Sequence, residues 1–235
     1  MMMHGDMTLY LTLMAPCMLL AMWAQWRLSS TYAKYRQMPN SRGFTGAQAA
    51  AEMLRREGVT DCRIEETSGW LSDHYSPSEK TLRLSPEVYN GRTVTAVGIA
   101  CHEAGHALQH AHGYGPLALR TVMVPVASLG SHLPVFLIVF GAAIGMAGMY
   151  MTGFALFSAI VAFQVVTLPV EFNASSRAKL ALWTNGVITR PDEIEGVDRV
   201  LGAAAMTYVA AAFTSIMTLL YYAIQLGLIG GRREE

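Results

Sequence analysis

The chain has 235 residues, of which 52% are hydrophobic and 14% charged, and its 17 basic and 17 acidic side chains cancel. So apolar a composition excludes an ordinary soluble domain and points to a membrane protein. With no basic excess and no block of like charge, nucleic acid is excluded as a partner and no charged interaction tail is expected.

Met7 to Trp26 contains no charged residue and is long enough to cross about 30 Å of hydrocarbon as a helix. The preceding M-M-M-H-G-D lacks the positive region of a signal peptide, while Arg27, Lys34, Arg36 and Arg42 follow the segment. That asymmetry predicts an uncleaved first transmembrane helix, residues 7–28, with its N-terminus outside. Residues 29–115 turn soluble in character. Thr45 and Gln48 form a capping box for a helix over Ala47 to Glu57 that buries Ala50, Met53 and Leu54 and stops at Gly58. Cys62 to Thr67 and Thr81 to Ser85 read as strands around a loop, Gly69 to Lys80, giving a small α+β portion.

A short turn after Pro86 precedes a helix from Thr93 to about His112, which carries C-H-E-A-G-H-A-L-Q-H at Cys101 to His110. His102 and His106 lie four apart, so on a helix their imidazoles project from one face and can grip one ion. Zinc suits such a pair, and a catalytic site adds a third protein ligand and leaves one position for water. Glu103, beside the first histidine, is where H-E-x-x-H places the general base that deprotonates that water. His110 cannot be the third ligand: at about 1.5 Å per residue it stands about 12 Å from His102 along the axis. Glu171, in L-P-V-E-F-N-A-S-S-R-A where a long apolar stretch ends, is the best candidate. Cys101 points about 100° away from His102 and reads as a small core residue.

Residues 116–170 are mostly apolar, with Arg120 the single charge between Leu117 and Val170. If Glu171 is to return to the two histidines, this stretch must cross the bilayer an even number of times. A hairpin of Leu133 to Met149 and Gly153 to Leu168 is expected, with Leu117 to Leu129 interfacial and Arg120 snorkelling. Residues 171–200 form a second polar segment, with a new helix starting at Pro191. Residues 201–229 form the last transmembrane helix, its alanine-rich start allowing close helix contact. Ten Lys and Arg residues lie between Trp26 and Gly113 and four more between Glu171 and Val200, which places both polar segments in the cytoplasm. Cys62 and Cys101 then face a reducing compartment, and no disulfide is expected.

The metal-helix motif, L-P-V-E-F-N-A-S-S-R-A and the earlier D-H-Y-S-P-S-E-K-T-L-R-L-S together resemble the YugP-type membrane-bound neutral zinc metallopeptidases over most of the chain. The resemblance implies a zincin-like peptidase with His102, His106 and Glu171 as ligands of Zn²⁺ and Glu103 as base. It also implies a strand beside the metal helix that pairs with substrate, for which Thr81 to Ser85 is one reading and an ordinary hairpin under the helix the other. The chain departs from that pattern at Ser76 and Asn173, where an acidic residue is common, and at Ser175, where zincins with a glutamate ligand often carry Asp. His74, Tyr75, Tyr114 and Arg177 are candidates by type for oxyanion stabilisation.

The expected protein is thus a mainly α polytopic membrane protein with a zincin-like metal helix and a small cytoplasmic α+β portion. Its expected function is a zinc metalloendopeptidase of the cell membrane, acting near the cytoplasmic surface on membrane-protein or peptide substrates, with the lipid bilayer and membrane proteins or further copies of itself as partners. A metal-ion transporter is one alternative. Against it, Gln109, His110 and His112 make the end of the metal helix too polar to span lipid. A non-catalytic adaptor retaining a zinc fold is the other, and the presence of Glu103 weighs against it.

Overall fold

The computed structural model describes residues 7–69, 72–128 and 130–229. The N-terminal M-M-M-H-G-D, Trp70 and Leu71 of the expected loop, Leu129 and the closing residues 230–235 lie outside that description. The chain is mainly α-helical: α1 (Met7–Tyr35), α2 (Gly46–Arg56), α3 (Pro86–Asn90), α4 (Val94–Ala111), α5 (Gly115–Ala127), α6 (His132–Ala143), α7 (Ala147–Thr184) and α8 (Pro191–Gln225). Three short strands, β1 (Arg63–Glu66), β2 (His74–Ser76) and β3 (Thr81–Leu84), form one sheet.

Among the described residues α1, α7 and α8 are long and apolar enough to cross a membrane, and α5 with α6 can count as a fourth span only as one bent pair. These helices expose Leu11, Met18, Trp23, Val122, Phe136 and Val139 among other large apolar side chains. A soluble protein would bury such a surface, whereas hydrocarbon solvates it. The chain divides into two compact units, one of residues 1–23, 119–167 and 207–235, the other of residues 24–118 and 168–206.

In the first unit Ile138 of α6 packs with Phe157 and Val161 of α7, and Leu219 and Tyr222 of α8 close the cluster. The break expected near Tyr150 to Gly153 does not occur, because Gly153 lies inside α7 as a contact residue. A Cβ there would stand 2.7 Å from the Pro134 carbonyl oxygen, so glycine lets α6 lie directly on α7. At 12 residues α6 is about 18 Å long, too short to form half of a spanning hairpin by itself. The full-length first arm, Leu133 to Met149, is therefore not formed as expected.

The second unit is built around α4, whose buried residues include Val94, Val97, Ala100, Cys101, Ala104, Ala107 and Leu108. They join Met53 and Leu54 of α2, Leu82 and Leu84 of β3, Ala178 and Leu182 of α7, and Val197 and Leu201 of α8 in one core. Truncating a fully buried leucine of this set to alanine costs about 2–5 kcal/mol. Thr45 caps α2 through the backbone of Gln48, whose side chain answers on the Thr45 N–H, so the capping box forms as expected. Thr93 caps α4 through the Ala96 N–H at 3.2 Å.

Three local expectations are corrected here. β2 arises within the stretch expected to be a loop, because its three residues are too few for a period-two pattern to be visible and their ladder partner lies along β3. β3 is not an open edge, and its pairing with β1 is parallel rather than that of a hairpin: it is central, and its hairpin partner is β2, antiparallel across residues 77–80. And α7 runs unbroken past Leu168, the expected end of its span, through Glu171 into the polar segment, while α8 runs unbroken from Pro191 across residue 201, where a separate last transmembrane helix was expected. Pro169 removes one backbone donor from α7, a loss that packed helices tolerate when neighbouring groups meet the freed carbonyls.

Candidate metal centre

α4 supplies His102 and His106 one turn apart, and α7 supplies Glu171 opposite them. His102 Nε2 lies 3.2 Å from Glu171 Oε2, and His106 Nε2 lies 3.7 Å from Glu171 Oε1. The two rings stand 4.9 Å apart at 83°, and one ligand atom of each residue falls within 4.8 Å of the other two. What allows this meeting is Gly105, on the α4 face turned to α7. A Cβ there would lie 2.7 Å from the Ala174 carbonyl oxygen, so a side chain would hold the helices apart.

Each imidazole is held at its other nitrogen. His102 Nδ1 lies 3.0 Å from Ser175 Oγ, one helical turn after Glu171. His106 Nδ1 lies 2.9 Å from Gln109 Oε1, and the Gln109 amide donates to the Val170 carbonyl at 2.8 Å and to Asn173 Oδ1 at 3.0 Å. Gln109 is fully buried and Glu171 only 2% exposed, so these polar contacts are made away from bulk water. The Nε2 atoms are thereby left facing the carboxylate.

The donor set fits zinc. Tetrahedral ligands about 2.1 Å from a common ion stand about 3.4 Å from one another, and the two nitrogen–oxygen separations of 3.2 and 3.7 Å bracket that value. Nitrogen and carboxylate oxygen at these distances, with both Nδ1 atoms already engaged, also match the way zinc sites orient their histidines.

Glu103 is half-buried on α4 beside His102. Burial pushes its carboxyl above the ordinary carboxylate range, with Glu171 and Asp73 adding to the rise and the two histidines opposing it. For His106, burial works to lower the imidazole, but the hydrogen bond and charge of Glu171, with Glu103 and Gln109, outweigh it and raise it. Burial likewise raises the Cys101 thiol, which has 1% exposure and sits in the core, as its sequence position suggested.

The other sequence candidates fall elsewhere. His110 is outside the cluster and pairs with Tyr75, whose hydroxyl lies 2.8 Å from His110 Nδ1. His74 Nδ1 contacts the Ser72 carbonyl, and Tyr114 donates weakly to the Pro169 carbonyl at 3.4 Å. Arg177 donates to Asn173 Oδ1 at 2.8 Å and from Nη1 to His112 Nδ1 at 3.0 Å. Gln109 carries no motif that reveals its contacts, whereas Ser175 and Asn173 stand at positions where the resemblance led to an acidic residue being expected, and each makes a contact there. A further signal was available for Ser175: its position four residues after Glu171 returns it to the same helix face.

Two histidines one turn apart on a buried helix, facing a carboxylate from a helix that continues into an apolar span, define the site type of a membrane-bound zinc metallopeptidase. The comparisons agree: the chain belongs to the family described as "Putative neutral zinc metallopeptidase", whose model matches residues 10–227. It is 44% identical over 216 residues to "Putative membrane protease YugP" of Bacillus subtilis (strain 168), a match covering 92% of this chain and 95% of that protein. No solved structure matches it.

Proposed function

We propose that this protein is a zinc metalloendopeptidase that hydrolyses peptide bonds in membrane-protein or peptide substrates near the cytoplasmic membrane surface. The observation that carries the reading is the convergence of both Nε2 atoms on the Glu171 carboxylate, with Glu103 next to them on the same helix.

His102, His106 and Glu171 would hold the ion. Zinc supplies Lewis acidity there, making water acidic enough to react near neutral pH and polarising a carbonyl. Glu103 would take the proton from the attacking water and return it to the departing amine, a role its place beside His102 on the same helix allows. Ser175 and Gln109 keep the two rings from turning. Of the sheet's two outer strands, β2 is tied to α4 by the Tyr75–His110 contact, and its outer backbone edge is the reading we adopt for the strand that pairs with substrate. The cytoplasmic location rests on the basic residues that flank the spans on the side of both polar segments.

The test uses the purified full-length chain in nanodiscs, with a quenched peptide library and mapped cleavage products. Cleavage should require zinc, stop on chelation and fall by about 10² to 10⁴ in Glu103→Gln, whose amide cannot accept a proton. A folded, zinc-loaded Glu103→Gln protein that cut at the parental rate would refute the mechanism. Zinc uptake into proteoliposomes in the absence of any proteolysis would favour a transporter instead.

A further inference from the structure

A line of hydrogen bonds runs from the surface of α7 to the imidazole of His106. Its outer end is Arg177, whose guanidinium has donors and no acceptor. Arg177 Nε donates to Asn173 Oδ1 at 2.8 Å, so Asn173 must turn its oxygen, not its amide nitrogen, to this point. That oxygen also accepts from Gln109 Nε2 at 3.0 Å. The second hydrogen of the same amide goes to the Val170 carbonyl at 2.8 Å, another group that can only accept. Both acceptors therefore fix the Gln109 amide with Oε1 pointing the other way, 2.9 Å from His106 Nδ1. A carbonyl oxygen cannot donate. His106 Nδ1 must carry the hydrogen, which leaves the lone pair of the neutral ring on Nε2, facing Glu171.

We propose that Arg177 is a positioning residue: through Asn173 its guanidinium reinforces the Gln109 orientation that the Val170 carbonyl also demands, and so favours the His106 tautomer protonated on Nδ1, the form able to bind an ion through Nε2. The proposal rests on the zinc reading above for its consequence, but the tautomer itself is a property of the metal-free chain. Arg177 is suited to the role because its Nη1 also donates to His112 Nδ1 at the end of α4, so the guanidinium is held from both helices. Asn173 supplies an acceptor shared by two donors, which a carboxylate would supply equally well. A methionine or leucine at either position breaks the line without touching His106.

The experiment has two readouts on the full-length protein in nanodiscs. Nitrogen-15 NMR of labelled histidines, with His106→Gln to assign the signal, reports which ring nitrogen is protonated in the metal-free state at a pH where the ring is neutral. Competition with a zinc chelator reports affinity. Metal-free wild type should show His106 protonated on Nδ1, and Arg177→Met and Asn173→Leu should show a measurably larger share of the Nε2-protonated form, the Val170 carbonyl holding the remainder. Zinc affinity should fall about 10- to 100-fold in Gln109→Leu, less in Arg177→Met and Asn173→Leu, and by under about twofold in Asn173→Asp, which keeps the acceptor. A wild-type His106 protonated on Nε2 overturns the proposal. So does an Arg177→Met protein with unchanged tautomer and affinity. Arg177 is half-exposed, so that variant should fold even if Gln109→Leu does not. If His106→Gln leaves zinc affinity intact, the zinc reading fails while the tautomer result still decides the hydrogen-bond proposal.

Discussion

Gly105 of α4 meets the backbone of Ala174 on α7 so closely that a Cβ on the glycine would stand 2.7 Å from the alanine carbonyl oxygen. Gly105 directly precedes His106 and Ala174 lies three residues after Glu171, so this approach sets how near the two ligand-bearing helices can come. Gly98, two turns earlier on α4, is different: a Cβ there would lie 3.7 Å from Val197, in ordinary contact. Gly98→Ala should therefore be neutral or stabilising by up to about 1 kcal/mol, from helix propensity. Gly105→Ala should lose about 1–3 kcal/mol through overpacking against backbone, and should lower zinc affinity as well. Thermal melting and chelator competition on both variants check the contrast, and equal behaviour would mean that α7 yields without disturbing the site.

Metal content after purification tests the ligand set. His102→Ala, His106→Ala and Glu171→Ala should each lose most of their zinc, whereas His110→Ala should retain about one equivalent, because His110 faces Tyr75 and not the cluster. A full equivalent in Glu171→Ala would identify the third ligand as some other residue.

Ser175 Oγ lies 3.0 Å from His102 Nδ1 and is 7% exposed, so it holds the ring where zincins with a glutamate ligand often use a carboxylate. Ser175→Ala should lower zinc affinity by about tenfold with little change in melting temperature. Isothermal titration against a zinc buffer measures the first and calorimetry the second. Wild-type affinity in this variant would show that packing alone orients His102.

Sidedness can be read from cysteines introduced one at a time in a Cys62→Ser background, where the remaining Cys17 and Cys101 are buried. Ser78 and Glu195 are both exposed, one in each polar segment. Both Ser78→Cys and Glu195→Cys should react with a membrane-impermeant maleimide only after the cells are opened, consistent with cytoplasmic segments. Labelling of both in intact cells would turn the proposed active site to the outer face.

Much of the candidate site was legible because its chemistry is local. The i, i+4 spacing of His102 and His106 needs only a helix to put two imidazoles on one face, and Glu103 follows from adjacency. Glu171 could be picked out as a carboxylate beside a long apolar run. The Thr45 and Gln48 cap is equally local, since both partners lie within one turn.

The remainder depends on contacts that chain order does not express. β3 becomes central only when β1, with β2 intervening in the chain, adds in parallel on the edge opposite its hairpin partner. The extents of α7 and α8 could not be read from polarity. Polar residues such as Ser175 are buried in the folded unit with hydrogen-bond partners, so they do not interrupt the helix. Composition and spacing by themselves determined a membrane protein carrying an H-E-x-x-H helix, since hydropathy and helical period act over one or two turns. Only the tertiary structure decided that Ser175, Gln109, Asn173 and Arg177 stand behind the histidines, because a buried polar group must find a partner in space and that partner lies 61 to 73 residues away in the chain for Gln109 with Val170 and His102 with Ser175.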